Sequence, residues 1–514
     1  MLLFKHYLAI GNYSYFYSMI FTKRLSGVLL HPSSLPGKFG IGSLGAEACK
    51  FVDWLSESGQ KVWQILPLGP TNWSHSPYQA YSAFAGNPDL IDLELLVKEG
   101  YLSSEQLSTP PIFPIGKINF KMLLPSREKL LKTAFERFST SGGFDTQSYM
   151  QFWDQHWWWL ESWSLFDACR KQLPGDDWGE WEESLQLRGE TTLFTYYNRY
   201  KEIVHYSRFL QYLFFKQWFA LKDYANDKGI SILGDIPLYV AYNSSDVWSN
   251  QSLFLLDEKR RPTLVGGVPP DYFSKTGQLW GNPLYNWEVM KQHGYDWWMA
   301  RIHFNLRMFD LIRIDHFRGL ESFWAVPAGE KTAVNGKWMK ANGDEMLQLL
   351  QQQIGSLPIV AEDLGLITPE VDQLRKKFDL PGMKVLQFAF SDEADNTHLP
   401  HNYTCNFVAY TGTHDNDTTT GWLQSLTKEE LQRVADYLGT DHVDTWDLIR
   451  KVEESVAQLA IFPMQDILGL ASTARMNKPG TTKGNWIWRM NPALLKKNHG
   501  IWLHGLTKLY GRSE

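Results

Sequence analysis

The chain has 514 residues, of which 44% are hydrophobic and 21% charged, an ordinary globular composition that can bury a large core. The net charge of −6 and the pI of about 6.2 argue against a nucleic-acid-binding protein, because that class normally carries a basic excess. Cys49, Cys169 and Cys405 are few and far apart, so we expect neither a disulfide framework nor a zinc site. A reducing compartment, and therefore the cytoplasm, fits this cysteine usage best.

The first 22 residues are apolar and aromatic, but Gly11, Asn12 and Ser14 interrupt the apolar run. They make a poor signal peptide, and the run is too short and broken to span a bilayer. We expect residues 1–22 to be an N-terminal extension, either disordered or a start-site artefact, since Met19 lies just before the first strand-like run. No membrane partner is expected.

Continuous apolar runs predict strands that are buried on both faces, as in a parallel sheet. Helical stretches, such as 46–58 and 207–228, lie between many of these runs, and this alternation is typical of βα units. The predicted strands cover residues 27–31, 62–68, 230–235, 311–315, 359–362, 385–390 and 407–411.

Polar side chains stand at the C-terminal ends of these runs, where a (β/α)₈ barrel builds its active site. They are His31, Asp235, Asp315, Glu362, His414 and Asp415. A doubly wound sheet would also bind ligands there, but the sequence has no GxGxxG or Walker loop. We therefore predict the α/β class, with residues 23–514 forming one barrel of βα units. Insertions are expected at about 99–205, helical and Trp-rich, and at 243–300, as active-site loops.

Residues 310–319, DLIRIDHFRG, contain the first candidate catalytic group. In a strand, Arg313 and Asp315 point to the same face, and an arginine beside a carboxylate favours the ionised form. An ionised carboxylate can attack an anomeric carbon. A purely structural Arg–Asp pair explains the pattern equally well.

Residues 360–365, VAEDLG, place a carboxyl at the end of an apolar strand. Partial desolvation raises the pKa of such a group and suits it to acid catalysis near neutrality. Glu362 and Asp363 are both candidates on these grounds, and a helix cap at Asp363 or Thr368 is the structural alternative.

Residues 411–417, TGTHDND, offer His414 and Asp415 as hydrogen-bonding partners for sugar hydroxyls. A metal site is the rival interpretation, because Asp, Asn and His are good ligands, although no EF-hand spacing or HExxH occurs. Three carboxylates at three strand ends together predict retaining glycoside chemistry, in which one attacks, one transfers the proton and one steadies charge.

Long irregular stretches give the chain a specific resemblance to the 4-α-glucanotransferases of glycoside hydrolase family 77 (the amylomaltase type), within the α-amylase clan. The resemblance covers nearly the whole chain except residues 1–22 and parts of 99–205. The stretches include SGVLLHPSSLPGKFGIGSLG (26–45), SPYQAYSAFAGNPDLIDL (76–93), GGVPPDYFSKTGQLWGNPLYNW (266–287), RIDHFRG (313–319), AEDLG (361–365), THDND (413–417) and ARMNKPGTTKGNW (474–486).

This resemblance implies a (β/α)₈ barrel without a C-terminal β-sandwich domain. It implies Asp315 as the nucleophile, Glu362 rather than Asp363 as the acid/base, and Asp415 as the transition-state stabiliser. The residues implied to bind substrate or support these three are Arg313, His414, Tyr78, Trp280, Asp271, Gln278, Asp235 and Asn477. No metal or cofactor is implied.

The implied activity is transfer of α-1,4-glucan segments from a maltooligosaccharide donor to the 4-hydroxyl of an acceptor glucan or glucose, with retention. Glycogen or starch-like glucans are the expected partners, and no obligate protein partner is evident. The alternatives are an α-glucan hydrolase of the same clan, a non-catalytic glucan-binding protein and a metal-dependent barrel enzyme.

Overall fold

The computed structural model describes residues 23–270, 274–391 and 393–513. The predictions for residues 1–22 lie outside the described part of the chain. Twelve strands occur in the described residues: β1 (Leu25–Leu29), β2 (Val62–Gln64), β3 (Ser231–Ile236), β4 (Leu264–Val268), β5 (Gln278–Pro283), β6 (Leu311–Ile314), β7 (Ser322–Pro327), β8 (Lys337–Lys340), β9 (Ile359–Ala361), β10 (Gly382–Val385), β11 (Phe407–Tyr410) and β12 (Leu459–Pro463).

The α-helices of the same residues surround and extend this framework. They are α1 (Ala46–Glu57), α2 (Leu93–Lys98), α3 (Phe120–Thr140), α4 (Gln147–Gln172), α5 (Glu183–Gln186), α6 (Glu190–Arg199), α7 (Lys201–Asp227), α8 (Ser245–Ser249), α9 (Trp287–Gln292), α10 (Asp296–Met308), α11 (Gly343–Ile354), α12 (Pro369–Lys377), α13 (Thr419–Ser425), α14 (Lys428–Leu438), α15 (Thr445–Glu454), α16 (Met464–Ile467) and α17 (Lys497–Leu509).

Eight of the strands form one parallel sheet in the order β10-β11-β12-β1-β2-β3-β6-β9. A hydrogen bond of 2.8 Å from the Ala361 amide to the Pro381 carbonyl joins the two edges, so the sheet is nearly closed. The strands β1, β6, β11 and β12 are buried along their whole length, which explains their continuous apolar sequences. The predicted (β/α)₈ barrel is therefore confirmed.

Three features of the strands differ from the prediction. The predicted strand at 62–68 ends at Gln64, and the predicted strand at 385–390 shares only Val385 with β10, because a 3₁₀ turn begins at Leu386. The strand β12 was not predicted, since its five residues (LAIFP) follow α15 without a glycine or proline to separate them from the helix.

A second sheet, antiparallel and in the order β5-β4-β7-β8, departs from the prediction that residues 243–300 are loop-like. Only β4 and β5 come from that segment, and β7 and β8 come from the connection after β6. Both β4 (LVGGV) and β5 (QLWGNP) contain residues that weaken strands, and their pairing with β7 is non-local. Sequence periodicity therefore could not reveal this small sheet.

The segment 99–205 is helical, as predicted, but its predicted end falls inside α7. That helix runs for 27 residues without a glycine or proline, and its buried face packs against β3 and α1. Tryptophans mainly build the core, since Trp63, Trp178, Trp218, Trp248 and Trp298 are fully buried.

Beyond β12, the described residues 464–513 form α16, α17 and connecting turns. No helix in the described ranges has the length and apolar character needed to cross a membrane.

Candidate active site

The predicted polar residues gather at the C-terminal edge of the barrel. Asp235 lies in β3 and Arg313 in β6, and the two are paired in register, so their side chains share a face. Asp315, Glu362 and Asp415 follow β6, β9 and β11, respectively. Parallel strands place all these groups around one opening.

Arg313 is the charged centre of the site. Its guanidinium donates to both oxygens of Asp235, at 3.0 and 2.8 Å, and to Oδ1 of Asp315 at 2.9 Å. Burial opposes the charge of this group, but the two carboxylates raise the pKa of Arg313 well above its usual value. The cation is therefore permanent and fixes both carboxylates.

The two carboxylates on Arg313 differ in access. The side chain of Asp235 is fully buried, whereas that of Asp315 is 33% exposed. Burial raises the pKa of the Asp315 carboxyl, and the charges of Asp235, Glu362 and Asp415 act in the same direction, against Arg313. Asp315 is therefore the carboxylate of this pair that a sugar can reach. Asp235 holds the Arg313 guanidinium in place.

Tyr78 forms one wall beside this cluster. Its hydroxyl donates to Oδ2 of Asp235 at 2.6 Å and accepts from Nη2 of Arg313 at 3.2 Å. Its ring stacks on His414, with the centroids 5.2 Å apart, and Trp486 packs against both rings. Burial lowers the pKa of His414, so its imidazole is neutral near pH 7.

Glu362 is held by backbone amides rather than by a cation. The amide of His316 donates to Oε2 at 2.7 Å, and that of Leu364 donates to Oε1 at 3.0 Å. Burial raises the pKa of Glu362 to about 7, against the opposing effects of Arg313 and of these two amides. A carboxyl with this pKa can donate and recover a proton near neutrality.

The neighbouring Asp363 points into the protein. Its Oδ1 accepts from the Met383 amide at 2.6 Å, and its Oδ2 lies 3.3 Å from Nε of Arg375. Gly382 permits this approach, since a Cβ there would stand 2.3 Å from Asp363 Oδ2. These contacts tie β9 to β10 and leave Glu362 as the carboxyl facing the site, which sequence patterns alone left open.

Asp415 is oriented by a second loop. The Asn477 amide donates to its Oδ1 at 2.6 Å, and Nε2 of His414 lies 3.4 Å from the same oxygen. Arg475 donates to the Asp415 backbone carbonyl and, at 2.7 Å, to that of Asn477. The Asn477 side chain thus contacts Asp415, and its predicted contact with substrate stays a prediction.

Trp280 and Gln278 lie on β5, in the small sheet, and Trp280 contacts His316, the residue after Asp315. Trp280 is half-buried, with its ring edge-to-face against His316 at 4.7 Å, and its indole N–H donates to Gln278. The Gln278 side chain is exposed. Asp271, predicted in the same connection, lies outside the described residues.

Two contributors were missed as individual site residues: His316 and Trp486. Their roles depend on backbone conformation or on loop packing, and only their presence in the motifs 313–319 and 474–486 pointed to them. His316 and Trp486 both have positive φ angles, 52° and 62°, which the local sequence does not predict. Within the described ranges, no group of three His, Cys, Asp or Glu side chains is arranged to hold a metal ion.

Comparisons with known proteins point to one family. The family model Glyco_hydro_77, described as 4-alpha-glucanotransferase, matches residues 30–496. The 4-alpha-glucanotransferase of Synechocystis sp. is 49% identical over 500 residues, covering 95% of this chain and 98% of the relative. That of Thermus thermophilus is 46% identical over 495 residues, covering 94% and 98%.

A solved structure extends the comparison to the fold. Amylomaltase from Streptococcus agalactiae, in complex with acarbose, superposes with a TM-score of 0.92 at 39% identity, covering 96% of this chain and all of that one. The chain therefore belongs to glycoside hydrolase family 77, the family of the 4-alpha-glucanotransferases.

Proposed function

We propose that Asp315 is the nucleophile, Glu362 the acid/base and Asp415 the transition-state stabiliser of this glucan-transferring enzyme. The observation that carries the proposal is the contrast among the carboxyls around Arg313. Asp315 is ion-paired and yet accessible, Asp235 is closed off, and Glu362 is held by backbone amides.

We assign the proton that Asp315 and Glu362 share to Glu362. Asp315 touches the Arg313 guanidinium at 2.9 Å, whereas Glu362 forms no ion pair with a described cation. Removing a proton from Asp315 therefore gains a direct Coulomb contact that Glu362 lacks. The two carboxyls titrate as a pair, with the proton on Glu362 at neutral pH.

The chemistry follows as a double displacement. Glu362 protonates the glycosidic oxygen while Asp315 attacks the anomeric carbon, so the C–O bond to the leaving glucan breaks and an ester to Asp315 forms. Glu362, now ionised, takes the proton of an incoming 4-hydroxyl, whose oxygen displaces Asp315. Two inversions retain the α-configuration. Asp415 accepts hydrogen bonds from hydroxyls of the sugar as positive charge develops on its ring.

The walls of the site supply the sugar contacts in this proposal. Tyr78 and Trp280 offer aromatic faces for glucose rings, with His414 and Gln278 as hydrogen-bonding partners, and Asp271 keeps its predicted role in the same connection. Asn477 acts through Asp415, and Asp235 acts through Arg313. Both are therefore assigned support rather than direct contact with the sugar.

Acceptor choice decides between transfer and hydrolysis. The small sheet reaches the nucleophile's neighbour His316 through Trp280, so it can bind an acceptor and exclude water there. We propose maltooligosaccharide donors and glucan or glucose acceptors, with residues 23–514 acting as one catalytic unit and no protein partner required. The three free cysteines, including the exposed Cys405, suit a reducing compartment such as the cytoplasm.

Chromatography of the products from maltotriose, without added cofactor or phosphate, tests the activity. A ladder of longer oligosaccharides with free glucose is expected. Glucose and maltose alone would show that water takes the intermediate, making this chain a hydrolase. No reaction by folded protein would favour a glucan-binding role.

A further inference from the structure

His316, the residue after Asp315, has a left-handed backbone conformation with φ 52° and ψ 48°. Its Cβ makes that conformation costly, so such residues are held by their surroundings and cluster at functional sites. Here the strand β6 has just ended, and a 3₁₀ turn, Phe317–Leu320, begins at the next residue. The left-handed residue is the corner between the two.

The corner turns two successive amides towards the same partner. The His316 N–H donates to Oε2 of Glu362 at 2.7 Å, and the Phe317 N–H donates to the Glu362 carbonyl at 3.1 Å. Consecutive N–H groups that converge in this way form an anion-binding concavity. The φ and ψ angles of residue 316 set the direction of the Phe317 N–H relative to the His316 N–H, so an extended residue at 316 would turn the two N–H groups to opposite sides of the chain.

The imidazole of His316 holds the corner from the side. It packs edge-to-face on Trp280 of β5, with the centroids 4.7 Å apart, and burial lowers its pKa to about 3, so it stays neutral. A glycine would adopt the same φ without strain, but it would offer nothing for Trp280 to hold. The strained residue thus links the small sheet to Glu362.

We propose that His316 is a positioning residue for Glu362, because its left-handed backbone lets its own amide bind Oε2 while the next amide binds the Glu362 carbonyl. The proposal rests on the acid/base role of Glu362 given above. It assigns the effect to the backbone conformation, and the side chain serves to lock that conformation in place. The amide hydrogen bond stabilises the ionised carboxylate, so its loss makes Glu362 a weaker acid.

Three variants at position 316 separate the backbone from the imidazole. All of them lack the ring, but His316→Gly and His316→Asn tolerate the left-handed region, whereas the β-branched His316→Val does not. The quantity to compare is the basic limb of the pH profile, that is, the alkaline pH at which kcat/KM for maltotriose falls. We expect His316→Gly and His316→Asn to keep this limb at its wild-type pH. We expect Val to move that limb upward by about one pH unit and to lower kcat about tenfold.

Circular dichroism and thermal melting establish that each variant is folded, and His316→Ala replaces Val if Val does not fold. A basic limb at the same pH in all the variants would overturn the proposal. The variant Glu362→Gln separates this failure from failure of the catalytic assignment. If Glu362→Gln keeps full activity, the acid/base role is wrong. If Glu362→Gln is inactive while the basic limb lies at the same pH in all the position-316 variants, only the role of His316 is wrong.

Discussion

Arg313 and Asp235 form a buried bidentate pair across β6 and β3, with hydrogen bonds of 3.0 and 2.8 Å and side chains 3% and 0% exposed. The pair holds the guanidinium so that the same Nη2 atom reaches Asp315 at 2.9 Å. The position of Asp315, the proposed nucleophile, thus depends on the fully buried carboxylate of Asp235.

Asp235→Asn is expected to lower both stability and activity. It removes the negative charge that balances Arg313. It also replaces one acceptor oxygen with an NH₂ group, which faces the N–H donors of the guanidinium. Breaking a buried pair in this way costs about 3–5 kcal/mol of the free energy of unfolding. Misplacement of Asp315 should reduce kcat about 100-fold. Urea unfolding and maltotriose kinetics measure the two effects.

The control for this variant is Asp167→Asn in α4. Asp167 is also buried and is paired with Arg170 and Lys171, far along the chain from the site residues. It should lose stability while keeping the wild-type kcat. Wild-type turnover by Asp235→Asn would contradict the role assigned to the Arg313–Asp235 pair.

Adjacent carboxyls at 362 and 363 should behave differently when each becomes an amide. Glu362→Gln keeps the shape of the side chain but removes the transferable proton, so kcat for maltotriose should fall by a factor of about 10²–10⁴. Asp363→Asn weakens the contacts to Met383 and Arg375, so it should mainly lower the melting temperature. A greater loss of kcat from Asp363→Asn would reverse the assignment.

The pH dependence follows from the raised pKa of Glu362, about 7 against a usual 4.5. Formation of the intermediate needs the protonated acid, so kcat/KM should fall above about pH 7. The folded state favours the protonated carboxyl, so the contribution of Glu362 to stability is full below pH 4.5 and is lost as pH rises through 7.

Glu362→Gln tests the stability side of this argument. It has no carboxyl to desolvate, so it should exceed the wild type in free energy of unfolding at pH 8, by about 1–3 kcal/mol. The difference should shrink towards zero at pH 4. A constant difference across this range would show that Glu362 titrates with an ordinary pKa.

Asn477→Ala should reduce kcat about tenfold with a smaller change in KM. The substitution removes the 2.6 Å hydrogen bond that fixes Oδ1 of Asp415, and leaves His414 at 3.4 Å as the remaining contact of that oxygen. Asn477→Asp should be worse, because a second carboxylate would face Asp415. Steady-state kinetics distinguish this from direct sugar binding, in which KM would carry most of the effect.

The barrel could be predicted because its strands are buried on both faces and read as apolar runs that end in polar residues. The three carboxylates could be predicted because Asp315 and Glu362 stand at the ends of such runs and Asp415 follows another within a short polar motif. The local sequence could not decide which of Glu362 and Asp363 faces the site. The difference lies in the contacts of Asp363 with Met383 and Arg375, which come from other elements. The resemblance to the family selected Glu362, and the structure supplies the physical reason.

Features that depend on distant pairing escaped prediction. The sheet of β4, β5, β7 and β8 joins two separate connections, and its short glycine-containing strands carry little periodic signal. The hydrogen bond from Asn477 to Asp415 escaped prediction for the same reason, since residues 62 positions apart meet only in the folded chain.

Trapping the covalent intermediate tests the central claim, that Asp315 is the nucleophile. The Glu362→Gln enzyme is mixed with an α-maltotriosyl fluoride blocked at its terminal 4-hydroxyl, which can act as a donor but not as an acceptor. Fluoride leaves without acid assistance, whereas release of the intermediate needs the missing base, so the glycosyl-enzyme should accumulate. Peptide mass spectrometry should then find the trisaccharide on the peptide that contains Asp315. A sugar on Asp235, Asp415 or another residue, or fluoride release without any adduct, would contradict the account.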